Sequence, residues 1–385
     1  MARRFLAPKT VWLGTDAVLS AETDICGLGK KALIVSGQSM IKQGYMKILT
    51  DLLGRNGVAW EIYSSISGEP TDRMIEVGVS IYQKKNCDFI IGFGGGSPLD
   101  AAKAIGILSV TKSSLSDFMG KEISSPIPPV VAIPSTAGTG SEVTQFTIIT
   151  DTQTDVKMLL RGSSLVPAVA IIDPIFTAQA TEKVAVAAGL DALTHAVEAY
   201  TSRKAYEQSD RYAMSAVKRI FRYLPLVLQN PANMEYREQM SVAAYEAGVS
   251  FSNSSVTLVH GMSRPIGALF HVPHGLSNAM LLPVCLEYAL EGDYDRFGKL
   301  GRAIGAADQR DSDKDAAIRF LDAVKSLCRV CHVPTLAEYG IDKAAFMDQV
   351  KKMASDAMAS GSPSNTRREI SESDVIELYH KLWAF

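Results

Sequence analysis

The chain has 385 residues, which is enough for one large domain or two ordinary ones. Its composition, with 47% hydrophobic residues, 21% charged residues and a formal net charge of −2, is typical of a globular protein in water. Acidic and basic residues are mixed along the chain, and no apolar run approaches the ~18 residues that span a bilayer. These patterns exclude nucleic acid and membrane as expected partners.

The N-terminal segment MARRFLAPKTVWLG lacks the pattern of a signal peptide. Pro8 and Lys9 end its apolar run early, whereas a signal peptide needs a longer apolar region. We therefore expect a cytoplasmic protein in which the five cysteines stay reduced.

Six β-rich runs in the first part of the chain predict strands. They occupy residues 31–36, 59–64, 88–94, 130–134, 145–150 and 168–173. Amphipathic stretches such as 40–57 and 71–86 lie between several of them and predict helices. Apolar strands that alternate with helices are typical of a parallel sheet covered on both faces, which binds ligands at the carboxyl ends of its strands.

A glycine loop follows the third predicted strand, where residues 94–98 read GGGSP. Glycines let the backbone approach a ligand closely. Ser97 suits the N-cap of the next helix, Pro98 suits its first position and Asp100 falls at its third. Free N–H groups at such a helix start can bind phosphate. Leu99 replaces the last glycine of the dinucleotide fingerprint, so a tight turn without a ligand is the alternative.

A second loop, residues 133–144, follows the next strand and reads IPSTAGTGSEVT. It offers backbone N–H groups and the hydroxyls of Ser135, Thr136, Thr139 and Ser141. Two such loops at adjacent strand ends indicate a diphosphate, and hence a nucleotide or a similar ligand.

Residues 175–385 show helical periodicity and almost no β-rich run. The segments 184–203, 209–230 and 237–251 carry apolar residues at helical spacing and predict a second, all-helical domain. Residues 361–371 read as a surface loop before a last short helix. The cleft between two domains is the usual place for a site.

Four residues of this half have the chemistry of a metal site. Asp191 and His195 are four apart on a predicted helix, and thus on one face. His260 and His274 can complete a set of one carboxylate and three imidazoles, which suits Fe(II) or Zn better than Mg or Ca. The alternatives are a hydrogen bond between Asp191 and His195 on the helix surface, and a loop histidine at His274.

Residues 328–332 read CRVCH, which has the spacing of covalent haem attachment. The motif occurs once, at the end of an amphipathic helix, in a chain without an export signal. We therefore interpret Cys328 and Cys331 as core or surface cysteines, with haem and a redox or metal pair as the alternatives.

Four stretches together resemble the iron-containing (group III) alcohol dehydrogenases. They are GGGSPLDAAKAIG, PSTAGTGSEVT, GLDALTHAVEAY and HGMSRPIGALFHVPHGLSNAMLLP, in the family's order and along nearly the whole chain. The resemblance implies an α/β Rossmann-like domain over residues 1–176 and an all-helical metal-binding domain over residues 177–385. This is the architecture of dehydroquinate synthase and iron-dependent alcohol dehydrogenases. It also implies a homodimer or higher homo-oligomer, in which N-terminal strands often pair.

The resemblance also implies hydride transfer between NAD or NADP and a small primary alcohol or aldehyde, with a catalytic metal that is usually Fe(II) and sometimes Zn. The implied metal ligands are Asp191, His195, His260 and His274. The positions that it implies for the cofactor are Gly95, Gly96, Ser97, Ser135, Thr136, Thr139, Thr144 and Lys157. We add Gly37 and Asp100 as candidate cofactor positions.

One departure from the family concerns the cofactor. Many members carry an acidic residue after the strand that here reads KALIVS, where it holds the ribose 2′-OH and repels a 2′-phosphate. This chain has Gly37 there, with Ser39 and Lys42 close behind. We expect use of NADP or of both cofactors.

A second departure concerns the substrate. In the motif that begins at His260, members of the family commonly carry a second histidine four residues after the first. That second histidine can relay protons. Arg264 stands there and cannot deprotonate. His271 can take over the relay, and Arg264 can hold an anionic tail on the aldehyde. The alternative for Arg264 is an ion pair with a protein carboxylate.

Three other functions fit parts of the sequence. A glycerol dehydrogenase-like Zn enzyme would act on secondary alcohols. A dehydroquinate synthase-like lyase would need several basic residues around an acidic substrate, and Ile266, Leu269, Phe270 and Val272 make the region around the histidines apolar. A non-catalytic nucleotide-binding protein would leave the metal set unexplained.

Overall fold

The computed structural model describes residues 2–154 and 156–384. These residues form two compact units, the first ending at Ala180 and the second beginning at Thr181. The first is an α/β unit and the second is all-helical, which confirms the predicted fold class. The predicted division after residue 176 falls within the short 3-10 helix Pro174–Thr177 and stays a prediction.

Eight strands are found among the described residues of the first unit. They are β1 (Thr10–Leu13), β2 (Lys31–Ser36), β3 (Ala59–Tyr63), β4 (Phe89–Gly94), β5 (Val130–Pro134), β6 (Phe146–Asp151), β7 (Val156–Arg161) and β8 (Val169–Ile172). Six of them form a parallel sheet in the order β1-β8-β5-β4-β2-β3. The carboxyl ends of β2, β4 and β5 therefore lie side by side, and the two glycine loops follow β4 and β5.

The helices of this unit cover the sheet. They are α1 (Ala17–Ser20), α2 (Glu22–Cys26), α3 (Gln38–Lys42), α4 (Tyr45–Arg55), α5 (Asp72–Lys84) and α6 (Gly96–Ser109). Alternate side chains of β4 point to opposite faces: Phe89, Ile91 and Phe93 join one core cluster, and Ile90 joins the other. Burial on both faces explains the uninterrupted apolar run of this strand.

The assignment of run 145–150 to the parallel sheet is wrong. This run forms β6, which pairs antiparallel with β7 in a separate two-stranded sheet. The side chain of Asp151 accepts hydrogen bonds from the backbone N–H of Gln153 (2.9 Å) and the hydroxyl of Thr154 (2.9 Å). This local turn reverses the chain at once, whereas a parallel pair needs a long crossover.

The first strand, β1, was absent from the predicted runs. It pairs in parallel with β8, from Thr10 opposite Val169 to Leu13 opposite Ile172. It forms one edge of the main sheet. Pairing of the N-terminal strand with a second copy, and hence the predicted homo-oligomer, stays a prediction.

The second unit consists of helices α7 (Glu182–Thr201), α8 (Glu207–Gln229), α9 (Met234–Ser254), α10 (Leu258–Phe270), α11 (His274–Ala289), α12 (Tyr294–Ala303), α13 (Asp313–Val330), α14 (Leu336–Tyr339), α15 (Lys343–Ala359) and α16 (Glu372–Ala384). Helix α7 begins at the N-cap Thr181, whose side chain accepts a hydrogen bond from the N–H of Val184. From Gly189 to Thr201 every residue of α7 is buried. A helix that is buried all round lies in the core, and its polar residues must be bonded or functional.

The predicted surface loop 361–371 is partly buried, because its polar groups bind neighbouring backbone. The side-chain amide of Asn365 donates to the carbonyl of Val256 (2.9 Å), and its backbone oxygen accepts from Arg203. Asn365 and Ser362 are buried as a result. A polar, glycine-containing sequence is typical of an exposed loop, and only the tertiary contacts reveal the burial.

The two cysteines of the CRVCH motif lie in the core. Cys328 and Cys331 are buried, and burial raises the pKa of each thiol to about 12. A buried thiol with a raised pKa is unreactive, which supports the interpretation as core cysteines. Among the described residues, none of the helices combines the length and the apolar character that crossing a bilayer requires.

Candidate functional site

Three helices of the second unit bring the predicted metal ligands together. Asp191 and His195 lie one turn apart on α7, His260 lies in the first turn of α10, and His274 is the first residue of α11. One carboxylate oxygen, Oδ1 of Asp191, lies 4.0 Å from Nδ1 of His195, 3.8 Å from Nε2 of His260 and 3.9 Å from Nε2 of His274. Residues that are distant in sequence thus converge on one point.

The spacing fits a first-row metal ion. Two ligand atoms that share such an ion lie at most about 4.2 Å apart, twice the ~2.1 Å of a metal–nitrogen bond. The distances of 3.8–4.0 Å from Asp191 Oδ1 to the three imidazole nitrogens lie within this limit. The ligand atoms of Asp191, His195 and His260 are at most 4.8 Å from one another, and all three residues are buried. The side chain of His274 is 37% exposed, so this ligand lies on the open side of the group. A carboxylate with imidazoles suits Fe(II) or Zn.

Aromatic stacking holds the rings of this group. The ring of His195 stacks on His260 at 4.4 Å and on Phe251 at 4.1 Å between centroids. Burial, together with the nearby His195, holds the pKa of His260 well below its usual range. His260 is therefore neutral at neutral pH, which is the state that a metal ligand requires.

Two residues at this group were missed by the sequence analysis. The side-chain amide of Asn278 donates to Asp191 Oδ1 at 2.7 Å and lies 3.1 Å and 3.3 Å from Nε2 of His260 and His274. The carboxylate of Glu198 lies 2.6 Å from the other ring nitrogen of His260, Nδ1. Both residues are one helical turn from a predicted ligand, so helical spacing was a signal that could have found them.

Arg264 and His271 lie in and at the end of α10, the helix that carries His260. Arg264 donates to the hydroxyl of Ser362 at 3.2 Å, and burial lowers its pKa. Within the described residues, no carboxylate is in ion-pair contact with Arg264, but the charge of Glu198 acts on the guanidinium against that lowering of its pKa. The alternative of a protein carboxylate therefore stays a prediction. His271 ends α10 in the left-handed conformation (φ 54°), and its side chain is exposed. Its role as a proton relay stays a prediction.

The predicted phosphate loops of the first unit lie against each other. The backbone N–H of Ser135 donates to the carbonyl of Gly94 at 2.7 Å, and a Cβ at Gly96 would approach Thr139 to 2.9 Å. Asp100 accepts from the hydroxyl of Ser141 at 2.5 Å and from the N–H of Ile148 at 3.0 Å. One carboxylate oxygen thus holds the second loop against helix α6, and the other holds strand β6.

The assignment of Ser97 as N-cap is wrong, because α6 begins at Gly96 and its N-cap is Gly95. Gly94, with φ 146°, turns the backbone sharply, and Gly95 is extended. Only glycine adopts the conformation of Gly94 readily, so the helix begins earlier than its side chains indicate. Its free N–H groups therefore follow the glycines directly, as phosphate binding requires.

The remaining predicted cofactor positions also lie in the first unit. Gly37 follows β2 and is the N-cap of α3. Thr144 is buried, and its carbonyl accepts from the buried ammonium of Lys103 at 2.9 Å. Lys157 forms an ion pair of 2.6 Å with Glu69. Thr136 is near Gly95, since a Cβ at Gly95 would lie 3.7 Å from its methyl group.

Two family sequence models match the chain. The model described as "Iron-containing alcohol dehydrogenase" matches residues 8–174, and the model described as "Fe-containing alcohol dehydrogenase family, C-terminal" matches residues 185–383. A 1,3-propanediol dehydrogenase of Klebsiella pneumoniae is 33% identical over 383 residues, covering 98% of each chain. A lactaldehyde reductase of Escherichia coli (strain K12) is 33% identical over 389 residues, covering 100% of each chain.

Solved structures show the same similarity. A crystal structure of 1,3-propanediol oxidoreductase has a TM-score of 0.95 and 31% identity, and the match covers 99% of this chain and 100% of that one. A sulfoacetaldehyde reductase from Bifidobacterium kashiwanohense, solved in complex with NAD+, has a TM-score of 0.87 and 26% identity. That match covers 100% of this chain and 99% of that one.

Gly275 provides a test of the metal group. A Cβ at this position would lie 2.4 Å from the carbonyl oxygen of Ala187 and 3.2 Å from Cβ of Asp191. Because backbone cannot yield as a flexible side chain does, Gly275→Ala has to displace the start of α11, and His274 with it. We expect at least tenfold weaker binding of Co(II), measured by competition with a chelator.

Gly54→Ala is the matched control. A Cβ at Gly54, on α4 of the other unit, would make an ordinary contact of 3.4 Å with Trp60. This variant keeps wild-type metal affinity. Unchanged affinity in Gly275→Ala would show that the packing of α11 on α7 does not position the metal group.

Proposed function

This chain belongs to the iron-containing alcohol dehydrogenase family, and we propose that it interconverts small aldehydes and primary alcohols at a metal centre of its helical unit. Family membership makes it an alcohol or aldehyde oxidoreductase that uses iron and a nicotinamide cofactor. The observation that carries the proposal is the convergence of three imidazole nitrogens on one oxygen of Asp191. The proposed ligands are Asp191, His195, His260 and His274.

The chain's own residues would prepare the metal site. Fe(II), when bound, supplies a Lewis acid that polarises the carbonyl oxygen of the aldehyde. Burial of Asp191, His195 and His260 excludes water from three of the ligands. Because the pKa of His260 is lowered, its ring stays neutral at neutral pH and keeps a lone pair for a metal ion. The more exposed His274 leaves one side of the group open for a substrate.

The loops of the first unit would hold the cofactor. The N-terminus of α6 presents N–H groups next to Gly95 and Gly96, and the loop with Ser135 and Thr139 lies against them. Free N–H groups and a positive helix end bind a pyrophosphate. Asp100 would act by positioning the second loop, because both of its oxygens are bonded within the protein.

The position of Gly37 favours use of NADP or of both cofactors. It follows the carboxyl end of β2 as the N-cap of α3, which carries Ser39 and ends with Lys42. No carboxylate stands at this position to repel a 2′-phosphate, and the nearby Lys42 adds a positive charge.

Arg264 favours an aldehyde with an anionic tail. The half-buried guanidinium of Arg264 donates to the hydroxyl of Ser362, and among the described residues it has no carboxylate in ion-pair contact. An anionic group of a substrate would supply that contact. The structurally similar sulfoacetaldehyde reductase acts, by its name, on an aldehyde with a sulfonate group. We propose that Arg264 holds a carboxylate, sulfonate or phosphonate of the substrate.

Family membership excludes two of the three other functions, the lyase and the non-catalytic nucleotide-binding protein. The glycerol dehydrogenase-like Zn enzyme remains the alternative.

Metal removal separates this alternative from the proposal. Dialysis against a chelator abolishes aldehyde reduction, because the carbonyl loses its Lewis acid, and Fe(II) restores it. Metal analysis alongside the assay checks the loading. Restoration by Zn alone, with oxidation of secondary alcohols, would favour the alternative.

A carboxylate introduced at residue 37 is expected to switch the cofactor. In Gly37→Asp the negative charge repels a 2′-phosphate, and kcat/KM for NADPH falls at least tenfold relative to NADH. Gly37→Asn has the same shape without the charge and leaves the ratio near that of the wild type. A wild-type preference for NADH of a thousandfold or more would contradict dual use.

Removing the guanidinium is expected to discriminate between substrates. Hydrogen bonds to a charged group contribute about 1.5–3 kcal/mol, so Arg264→Ala should lower kcat/KM for an anionic aldehyde roughly 10- to 150-fold. A neutral aldehyde of the same length should lose less than threefold. Equal losses for both substrates would assign Arg264 a structural role only.

A further inference from the structure

Glu198 is a buried carboxylate that the proposed reaction does not use. It lies on α7, three residues after His195, and is 1% exposed. Its Oε1 accepts hydrogen bonds from the hydroxyl of Thr257 at 2.7 Å and the N–H of Val259 at 2.6 Å. Its Oε2 lies 2.6 Å from Nδ1 of His260. The carboxylate thus meets three groups at the start of α10.

These contacts determine which nitrogen of His260 carries the proton. An ionised carboxylate only accepts hydrogen bonds. Burial raises the pKa of Glu198, and the two donors at Oε1 act against that rise because they stabilise the charged form. When Glu198 is ionised, the group at Oε2 is a donor, and Nδ1 of His260 then carries the proton. The lone pair is therefore at Nε2, the nitrogen that lies 3.8 Å from Asp191 Oδ1 within the metal group.

The same carboxylate fixes where α10 begins. Ser255, between α9 and α10, has a φ of 70° and a ψ of 163°, a conformation that only glycine adopts without strain. The N-terminus of α10 is the positive end of its dipole, and Glu198 binds the N–H of Val259 there. The negative charge thus holds the first turn of α10, which carries His260, in place next to a strained connection.

We propose that Glu198 is the positioning residue of the metal centre, which fixes His260 in the tautomer that turns the lone pair of Nε2 toward the metal. The inference rests on the proposed function for the presence of the metal. Glu198 itself does not touch the metal. Carboxylates that accept a hydrogen bond from the ring N–H of a metal-bound histidine orient the ring, and their loss typically weakens metal binding 10- to 100-fold.

Glu198→Gln separates this role from packing alone, since an amide has nearly the same shape. Its single oxygen cannot serve all three groups. If that oxygen accepts from Thr257 and Val259, the NH₂ group faces Nδ1 of His260 and donates to it. The proton of His260 then moves to Nε2, the nitrogen that faces the other predicted metal ligands. A protonated Nε2 has no lone pair to offer a metal ion.

The experiment has two readouts. Long-range ¹H–¹⁵N NMR of metal-free protein labelled at histidine reports the tautomer of His260, which is assigned with a His260→Gln variant. Chelator competition reports Co(II) affinity. The proposal predicts protonated Nδ1 in the wild type, protonated Nε2 in Glu198→Gln, and Co(II) affinity that is 10- to 100-fold lower in this variant.

Glu246→Gln is the control. Glu246 is a carboxylate of α9 that accepts from Ser215 and Arg219, and burial raises its pKa. This variant should keep the wild-type tautomer and Co(II) affinity. An unchanged tautomer or unchanged affinity in folded Glu198→Gln would overturn the proposal. Failure of the wild type to bind Co(II) would contradict the metal centre itself, whereas the tautomer would still report whether Glu198 controls His260.

Discussion

The main constraint on the helical unit is that three of its helices must pack around one buried carboxylate oxygen. Oδ1 of Asp191 lies 3.8–4.0 Å from a nitrogen of each of three histidines, and these come from three helices. A charge in a core is stable only when it is paired or bonded. In this structure Asn278 donates to the same oxygen. The packing of α7, α10 and α11 therefore positions the four predicted metal ligands around this oxygen. A small shift of any of these helices would move the ligand atoms apart.

Close packing between α7, α10 and α11 satisfies this constraint. Gly275 lets α11 approach the backbone of α7, where a Cβ would lie 2.4 Å from a carbonyl oxygen. Glu198 holds the start of α10 through Val259 and Thr257. The residues that surround the ligands are thus as specific as the ligands themselves, because they determine ring orientation and helix position. The first unit shows the same principle, since Asp100 holds the second glycine loop against α6.

Much of this could be predicted from sequence, because it depends on local periodicity. The helical spacing of Asp191 and His195, the apolar strands and the glycine loop after β4 are local signals, and the structure has them where they were expected. One error came from backbone geometry that residue types alone do not reveal. Ser97 is a good N-cap by residue type, but the backbone of Gly94 and Gly95 starts the helix earlier.

Contacts between residues that are distant in sequence were beyond prediction, because local periodicity does not report them. The burial of loop 361–371, for example, depends on Asn365 reaching Val256. Asn278 and Glu198 have helical spacing from a ligand, but spacing alone does not tell a supporting residue from an ordinary polar one. Only the folded arrangement shows that their polar atoms meet the metal group.

Metal stoichiometry in wild type and Asp191→Asn tests the central claim most directly. Asparagine keeps the shape of the side chain and removes the charge on which the three imidazoles converge. Titration of metal-free protein with Co(II), followed by its visible absorption, should show one tightly bound ion per chain in the wild type. Asp191→Asn should lose that ion while it keeps the far-ultraviolet circular dichroism of the fold. Equal stoichiometry and affinity in the two proteins would contradict the account.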